Sequence, residues 1–269
     1  MNELKLNELL EPVVALARSA GEKIMEIYAT EFSVDTKDDN SPLTMADLAA
    51  HREIANGLAK MGSAFPLISE ESTQLPYSQR QRWDTYWLID PLDGTKEFVK
   101  RNGQFTVNIA LIHQHEPVLG VVDVPALKHR YFAARGVGAF LQDGEGPSKQ
   151  IFVRENAPTK LTVAGSLSHK TQELETYLGR LGEYELISMG SSLKLCLVAE
   201  GKADIYPRIG LTSEWDTAAA QCVVEQAGGR VTDLKGNLLR YNTKESFLNP
   251  YFLVFGDTSR DWTQYAGDV

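Results

Sequence analysis

Trp87-Leu88-Ile89-Asp90-Pro91-Leu92-Asp93-Gly94-Thr95-Lys96-Glu97-Phe98 is a strand-to-helix turn loaded with carboxylates. Tyr86 to Ile89 is a short aromatic and apolar run suited to a buried strand. Pro91 is expected to end its pairing, and Gly94-Thr95 opens a segment, Lys96 to Lys100, that can start a helix. Two aspartates three residues apart, with a proline fixing the chain between them, can converge just past the strand end. A hard divalent cation wants oxygen ligands at such a point, and Mg²⁺ takes few carboxylates and leaves positions open for phosphate. The amides after Gly94 would sit at a helix N-terminus, where phosphate is favoured. Without a cation between them the like charges would repel. Taken alone, Asp-Pro and Asp-Gly are also common turn dipeptides and Asp is a common helix cap, so the rest of the chain has to decide.

The chain has 269 residues, 43% hydrophobic and 23% charged, enough for one large domain or two small ones with a sizeable core. A net charge of -9 argues against a broad basic footprint for a nucleic-acid polymer. Small anionic substrates stay open if a metal or a local Arg/Lys cluster supplies positive charge. The two cysteines, Cys196 and Cys222, sit in helix-like apolar patterns and read as buried free thiols of a reducing compartment, and no zinc spacing is present. No signal-like N-terminus and no run of eighteen apolar residues occurs, so a cytoplasmic protein without an integral membrane segment is expected.

Upstream of the turn, Leu6, Leu9, Leu10, Val13, Val14, Ala17, Ile24 and Ile27 recur at helical spacing, and Pro12 should start that helix late or bend it. A second helix is expected from Met45 to Lys60, with Thr44 and Asp47 spaced as a capping box. Phe65 to Ile68 reads as a short strand ending in the acidic pair Glu70-Glu71, and Gln74 to Arg82 as a polar surface loop that could cover a site. Downstream, Thr106 to Ile112, Val118 to Val124, His129 to Ala133 and Ala139 to Leu141 read as antiparallel hairpins.

The pattern changes after Asn156-Ala157-Pro158-Thr159. Strands at Leu161 to Ala164, Glu185 to Ser188, Ala203 to Tyr206 and Phe252 to Phe255 alternate with helices at His169 to Leu181, Ser191 to Glu200 and Asp216 to Gln226. Residues 1–157 are therefore expected to form an α+β subdomain and 158–269 an α/β subdomain. In the last of those helices Ala218, Ala219 and Ala220 permit close packing on a sheet, and Asp216 points an acid beyond its N-terminus, as a cap or as something more. His51, His113, His115 and His129 have no metal spacing and read as structural.

Asp90-Pro91-Leu92-Asp93-Gly94-Thr95 with Trp215-Asp216-Thr217-Ala218-Ala219 resembles the two-part signature of the inositol monophosphatase superfamily of metal-dependent, lithium-sensitive phosphatases. Glu70 precedes the first motif by the usual interval, and the resemblance runs from Thr44-Met45-Ala46-Asp47 to the last strand. Within the superfamily, Ser166-Leu167-Ser168-His169, Gly190-Ser191-Ser192-Leu193-Lys194, Ala203-Asp204-Ile205-Tyr206-Pro207-Arg208 and Thr212-Ser213-Glu214-Trp215-Asp216 make the closer match the bacterial CysQ-type 3'(2'),5'-bisphosphate nucleotidases. The fold implied is a layered αβαβα sandwich, with an antiparallel N-terminal sheet and a mixed C-terminal one. The activity implied is removal of the 3'-phosphate of adenosine 3',5'-bisphosphate, clearing a by-product of sulfate assimilation.

Carried over residue by residue, the resemblance implies that Glu70, Asp90, Asp93, Asp216 and the Leu92 carbonyl bind Mg²⁺. Glu70 and Thr95 would position the attacking water, with Asp47 bonded to Thr95, and the amides of Gly94 and Thr95 would hold the scissile phosphate. Lys194 and Arg208 are best placed for the second phosphate, with Ser168, His169 and Ser192 as polar candidates of lower rank. Glu97 is explained by a helix first turn and Phe98 by the core. An inositol or sugar monophosphate phosphatase shares every metal ligand, and a non-catalytic cation binder is the third reading. A homodimer is left open, as is peripheral association with the cytoplasmic face of the inner membrane, which the resemblance brings with it.

Overall fold

The computed structural model describes residues 5–30, 35–36, 42–43, 45–62, 64–165 and 171–267. Helix α1 (Leu6–Tyr28) is continuous through Pro12, which faces solvent, while Leu10, Val13, Val14, Leu16, Ala17, Ala20 and Ile24 are buried. A proline inside a helix costs about 3 kcal/mol. Burying seven apolar side chains outweighs that, so the helix neither starts late nor stops there. Strands β1 (Asp35–Thr36) and β2 (Pro42–Leu43) pair antiparallel ahead of α2 (Met45–Lys60). Thr44, the expected cap of α2, lies outside the described residues.

β3 (Leu67–Ser69) runs parallel to β4 (Thr85–Asp93), with α3 (Tyr77–Arg80) between them in the chain. Helix α4 (Thr95–Val99) follows β4. An antiparallel meander then completes a seven-stranded sheet: β5 (Thr106–His113), β6 (Glu116–Val124), β7 (His129–Ala134), β8 (Gly138–Asp143) and β9 (Lys149–Gln150).

The second sheet holds β10 (Leu161–Gly165), β11 (Tyr184–Ser188), β12 (Ile205–Arg208), β13 (Arg230–Asp233) and β14 (Phe252–Phe255), in the order β11-β10-β12-β14-β13. The pairs of β10 are parallel and those of β14 antiparallel, so this sheet is mixed. Its helices are α5 (Gln172–Leu181), α6 (Leu193–Ala199) and α7 (Glu214–Gln226). The expected start of α5 at His169 lies outside the described residues, and Thr171 caps the helix through Oγ1. β13 escapes a reading for strands because it is four residues long with charged ends.

Helices α1 and α2 cover one face of the large sheet, α6 and α7 fill the space between the sheets, and α5 covers the far face of the small sheet. This is the αβαβα layering expected. The middle layer is thin because Gly120 of β6 faces α7. A Cβ there would lie 2.2 Å from the Ala219 carbonyl oxygen and 2.8 Å from Cys222 Cβ. Small residues on both partners let the helix settle close to the strands, which brings its N-terminus to the end of β4.

Two expectations hold only in part. Regular pairing ends before Pro91, as expected, but β4 runs on to Asp93, with a register shift between Asp90, which pairs with Asn108, and Asp93, which pairs with Thr106. Three steps on β4 oppose two on β5, so a one-residue bulge absorbs the proline, whose missing N–H the bulge tolerates. The stretch 74–82 lies at the surface as expected but is not wholly a loop: it contains α3, whose last residue, Arg80, is fully buried.

Candidate active site

In a regular strand, residues three apart face opposite sides. The bulge in β4 corrects this by one residue, and so Asp90 and Asp93 are set to face the same side. Asp90 Oδ1 accepts the Leu92 N–H at 3.1 Å. Gly94 follows with φ +93°, a left-handed conformation that glycine adopts without strain, and turns the chain into α4.

Asp216 stands in the first turn of α7. Its Oδ2 accepts the Ser213 N–H at 2.8 Å, completing a capping box, so the cap reading and the site reading hold together for this residue. Glu70 follows β3, its N–H bonded to the Ile89 carbonyl at 3.3 Å, which ties it to the acidic end of β4. Glu70, Asp93 and Asp216 line one cavity of about 950 Å³ together with Gly94, Thr95, Glu97, Thr212 and Trp215.

The electrostatics describe an unneutralised acidic cluster. Burial, and then the charges of Glu70, Asp93, Asp216 and Asp47, push Asp90 well above the usual carboxylate range. Asp216 is pushed up by burial and by Asp93. Burial raises Asp93 to about 6, opposed by the Lys194 charge and the Ser192 N–H. Among the described residues, no three His, Cys, Asp or Glu side chains stand close enough together to enclose an ion. Asp90, Asp93 and Asp216 each turn one oxygen to a backbone N–H, those of Leu92, Ser192 and Ser213 in turn. An all-oxygen set of acidic side chains beside an open cavity suits a hard divalent cation better than a softer metal.

A second cavity of about 610 Å³ shares Asp93, Gly94, Glu97, Thr212 and Asp216 with the first, and continues to Ser191, Lys194, Tyr206 and Arg208. Lys194 is no solvated helix lysine. It is buried, donates to the carbonyls of Ser191 (2.7 Å) and Met189 (3.3 Å), and lies 5.5 Å over the Tyr206 ring. Burial lowers it to about 8, against the raising effect of Asp93, with Arg208 lowering it further. Arg208 is held by the Leu211 carbonyl at 2.9 Å, while its Nε is buried without a partner.

Other expected site residues meet different surroundings. The hydroxyl of Ser192 is turned into β5, 2.9 Å from both Thr106 Oγ1 and Asn108 Oδ1, whereas its neighbour Ser191 keeps a buried, unpartnered hydroxyl at this cavity. Thr95 Oγ1 faces the Leu92 carbonyl at 3.5 Å, and Asp47 is buried at the start of α2, where its charge bears on Asp90. Ser168 and His169 lie outside the described residues. Glu97, assigned to a helix turn from sequence, lines both cavities, as does Thr212, whereas Phe98 is in the core. Cys196 and Cys222 are buried free thiols.

The family model for the inositol monophosphatase family matches residues 5–258. The 3'(2'),5'-bisphosphate nucleotidase CysQ of Salmonella typhimurium is 51% identical over 248 residues, 91% of this chain and 99% of that one. Its namesake from Escherichia coli K12 is 49% identical with the same coverage. The crystal structure of CysQ from Bacteroides thetaiotaomicron, a bacterial member of the inositol monophosphatase family, aligns with a TM-score of 0.82 at 44% identity, over 97% of this chain and 100% of that one. The extragenic suppressor protein suhB from Bartonella henselae aligns at 0.78 with 26% identity, covering 96% and 98%.

Proposed function

The chain belongs to the inositol monophosphatase family, and from that premise we propose that it is a 3'(2'),5'-bisphosphate nucleotidase. Relatives sharing half its sequence are named 3'(2'),5'-bisphosphate nucleotidases, and in our reading it would remove the 3'-phosphate of adenosine 3',5'-bisphosphate to give AMP and phosphate. The observation that carries the substrate class is the continuity of the two cavities: an acidic pole at Asp93 and Asp216 and a basic pole at Lys194 and Arg208 share walls. A bisphosphate has use for both poles. An inositol or sugar monophosphate needs only the acidic one.

Oxygens of Glu70, Asp90, Asp93 and Asp216 and the Leu92 carbonyl would hold Mg²⁺, whose chemistry is to acidify a water and to neutralise phosphoryl and leaving oxygens. Glu70 and Thr95 orient the attacking water, and Glu70 takes its proton as the new O–P bond forms and the bond to the ribose oxygen breaks in line. Asp47 supports this through Thr95 once that hydroxyl leaves the Leu92 carbonyl. The amides of Gly94 and Thr95 hold the scissile phosphate. Lys194 and Arg208 pair with the second phosphate, and Ser191 adds a hydroxyl that Ser192 spends on β5. No covalent nucleophile is required.

In this reading residues 1–157 supply most of the cation site and 158–269 supply Asp216 and substrate recognition. No helix among the described residues is long and apolar enough to cross a membrane, and we place the protein in the cytoplasm. The test is a substrate comparison with Mg²⁺ present. Adenosine 3',5'-bisphosphate should turn over far faster than inositol 1-phosphate, and equal rates on both, or none on either, would overturn the assignment.

A further inference from the structure

Arg80 is among the largest fully buried side chains, yet it has no carboxylate within salt-bridge distance among the described residues. Its guanidinium donates instead to Asn242 Oδ1 and to the carbonyls of Lys244 (3.1 Å) and Glu245. It also lies 4.0 Å over the Phe247 ring, and Asn242 Nδ2 returns a bond to the Arg80 carbonyl at 2.7 Å. These partners are more than 160 residues away in the chain and sit on one segment, 241–249, that contains no helix or named strand, while Nε donates to the nearby Leu75 carbonyl at 3.3 Å.

That strap in turn grips the start of α7. The Asn242 N–H donates to Glu214 Oε2 at 2.9 Å, and the Glu214 N–H donates to the Phe247 carbonyl at 2.8 Å. Asn249 donates through Nδ2 to the Ser213 carbonyl (2.7 Å) and through its backbone N–H to the Thr212 carbonyl (2.8 Å). Ser213 is the cap whose N–H holds Asp216 Oδ2. A chain of direct bonds therefore runs from Arg80 through the strap to the carboxylate of Asp216. An irregular segment cannot hold its own shape, whereas a planar guanidinium can satisfy three oxygens at fixed angles, which a lysine cannot.

We propose that Arg80 is a positioning residue for the cation site: through the 241–249 strap it fixes the Ser213–Asp216 capping box, and with it the Asp216 carboxylate, while touching neither cation nor substrate. The inference rests on the phosphatase reading of the site. Losing a partner that orients a metal ligand weakens metal affinity about 10–100-fold.

The experiment compares wild type with Arg80→Lys and Asn242→Ala. The second variant removes both side-chain bonds between Asn242 and Arg80, leaving the arginine's carbonyl partners, and keeps the N–H that serves Glu214. Three readings are taken: the rise in melting temperature on adding Mg²⁺, the Mg²⁺ concentration for half-maximal activity, and KM for the bisphosphate. Expected are a Mg²⁺-induced rise at most half that of wild type, a half-activating concentration about tenfold higher, and KM changed less than about twofold. Should Arg80→Lys fail to fold, Asn242→Ala decides alone. Variants that melt lower without Mg²⁺ but keep the wild-type Mg²⁺ response would show a plain structural clamp and overturn the proposal, as would variants unchanged in every reading. Wild type that is neither stabilised by Mg²⁺ nor active would instead overturn the site reading itself, a result distinguishable because it does not involve the variants.

Discussion

The backbone N–H of Ser192 donates to Asp93 Oδ2 at 2.6 Å, so the start of α6 grips a carboxylate at the end of β4. The same serine bonds Thr106 and Asn108, which pair with Asp93 and Asp90 across the β4–β5 ladder. One residue thus sets the separation between the acidic pole and Lys194, two positions further on. Ser192→Ala keeps the N–H and loses the hydroxyl, leaving buried polar atoms of Thr106 and Asn108 short of a partner. We expect about 1–3 kcal/mol of lost stability by denaturant titration. The bisphosphate kcat/KM should fall about tenfold, since small misplacements at a reacting centre are costly. Unchanged values in both measurements would dissociate Ser192 from positioning.

Asp93→Asn should abolish turnover while the fold persists, because it would remove a proposed cation ligand but still offer an oxygen to the Ser192 N–H. Burial raises the Asp93 carboxyl to about 6, so the folded, metal-free protein carries it charged at pH 7 at a cost in stability. The sign follows: with the folded value above the unfolded one, stability falls as pH rises from about 4 through about 6. The neutral amide escapes that loss. Metal-free Asp93→Asn should therefore melt no lower than wild type at pH 7, and its Mg²⁺-induced rise should shrink. Substantial activity in the folded variant would remove Asp93 from the cation site.

Gly120→Ala tests the close seating of α7. The added Cβ meets a backbone carbonyl and Cys222, neither of which is the end of a flexible chain. Overpacking of this kind costs about 1–3 kcal/mol, which should lower the melting temperature by several degrees. Activity should fall too, because Asp216 rides on the displaced helix. A melting temperature equal to wild type would mean the layer is looser than its contacts imply.

The convergence of Asp90, Asp93 and Asp216 was legible in the sequence, because they stand in motifs whose residue types are tied to one chemistry. What stayed hidden has physical causes. Pro91 reads as a strand end unless a bulge is foreseen, and a bulge depends on the register of a partner strand. Arg80 lies in a polar stretch whose hydropathy gives no hint of burial, since its partners are mainly backbone oxygens far along the chain. Which of the two adjacent serines at the cavity keeps its hydroxyl unpartnered goes with a left-handed backbone at Ser191, φ +47°, a conformation that serine seldom declares. Glu97 was hidden by a sufficient local explanation, its place in a helix first turn.

Lys194 gives the sharpest prediction on substrate choice. Burial lowers its pKa to about 8, so it loses its proton more than two units earlier than an exposed lysine. In the free enzyme, kcat/KM for the bisphosphate should then fall as pH rises through about 8, since the neutral amine no longer attracts the second phosphate. A 3'-monophosphate lacks that phosphate and should show no such limb. Lys194→Ala should lower bisphosphate kcat/KM at pH 7 by about tenfold or more, mainly through KM, and should erase the alkaline limb. Monophosphate hydrolysis should change little. A limb of equal size on both substrates would assign the titration to the hydrolytic machinery and detach Lys194 from recognition of the second phosphate.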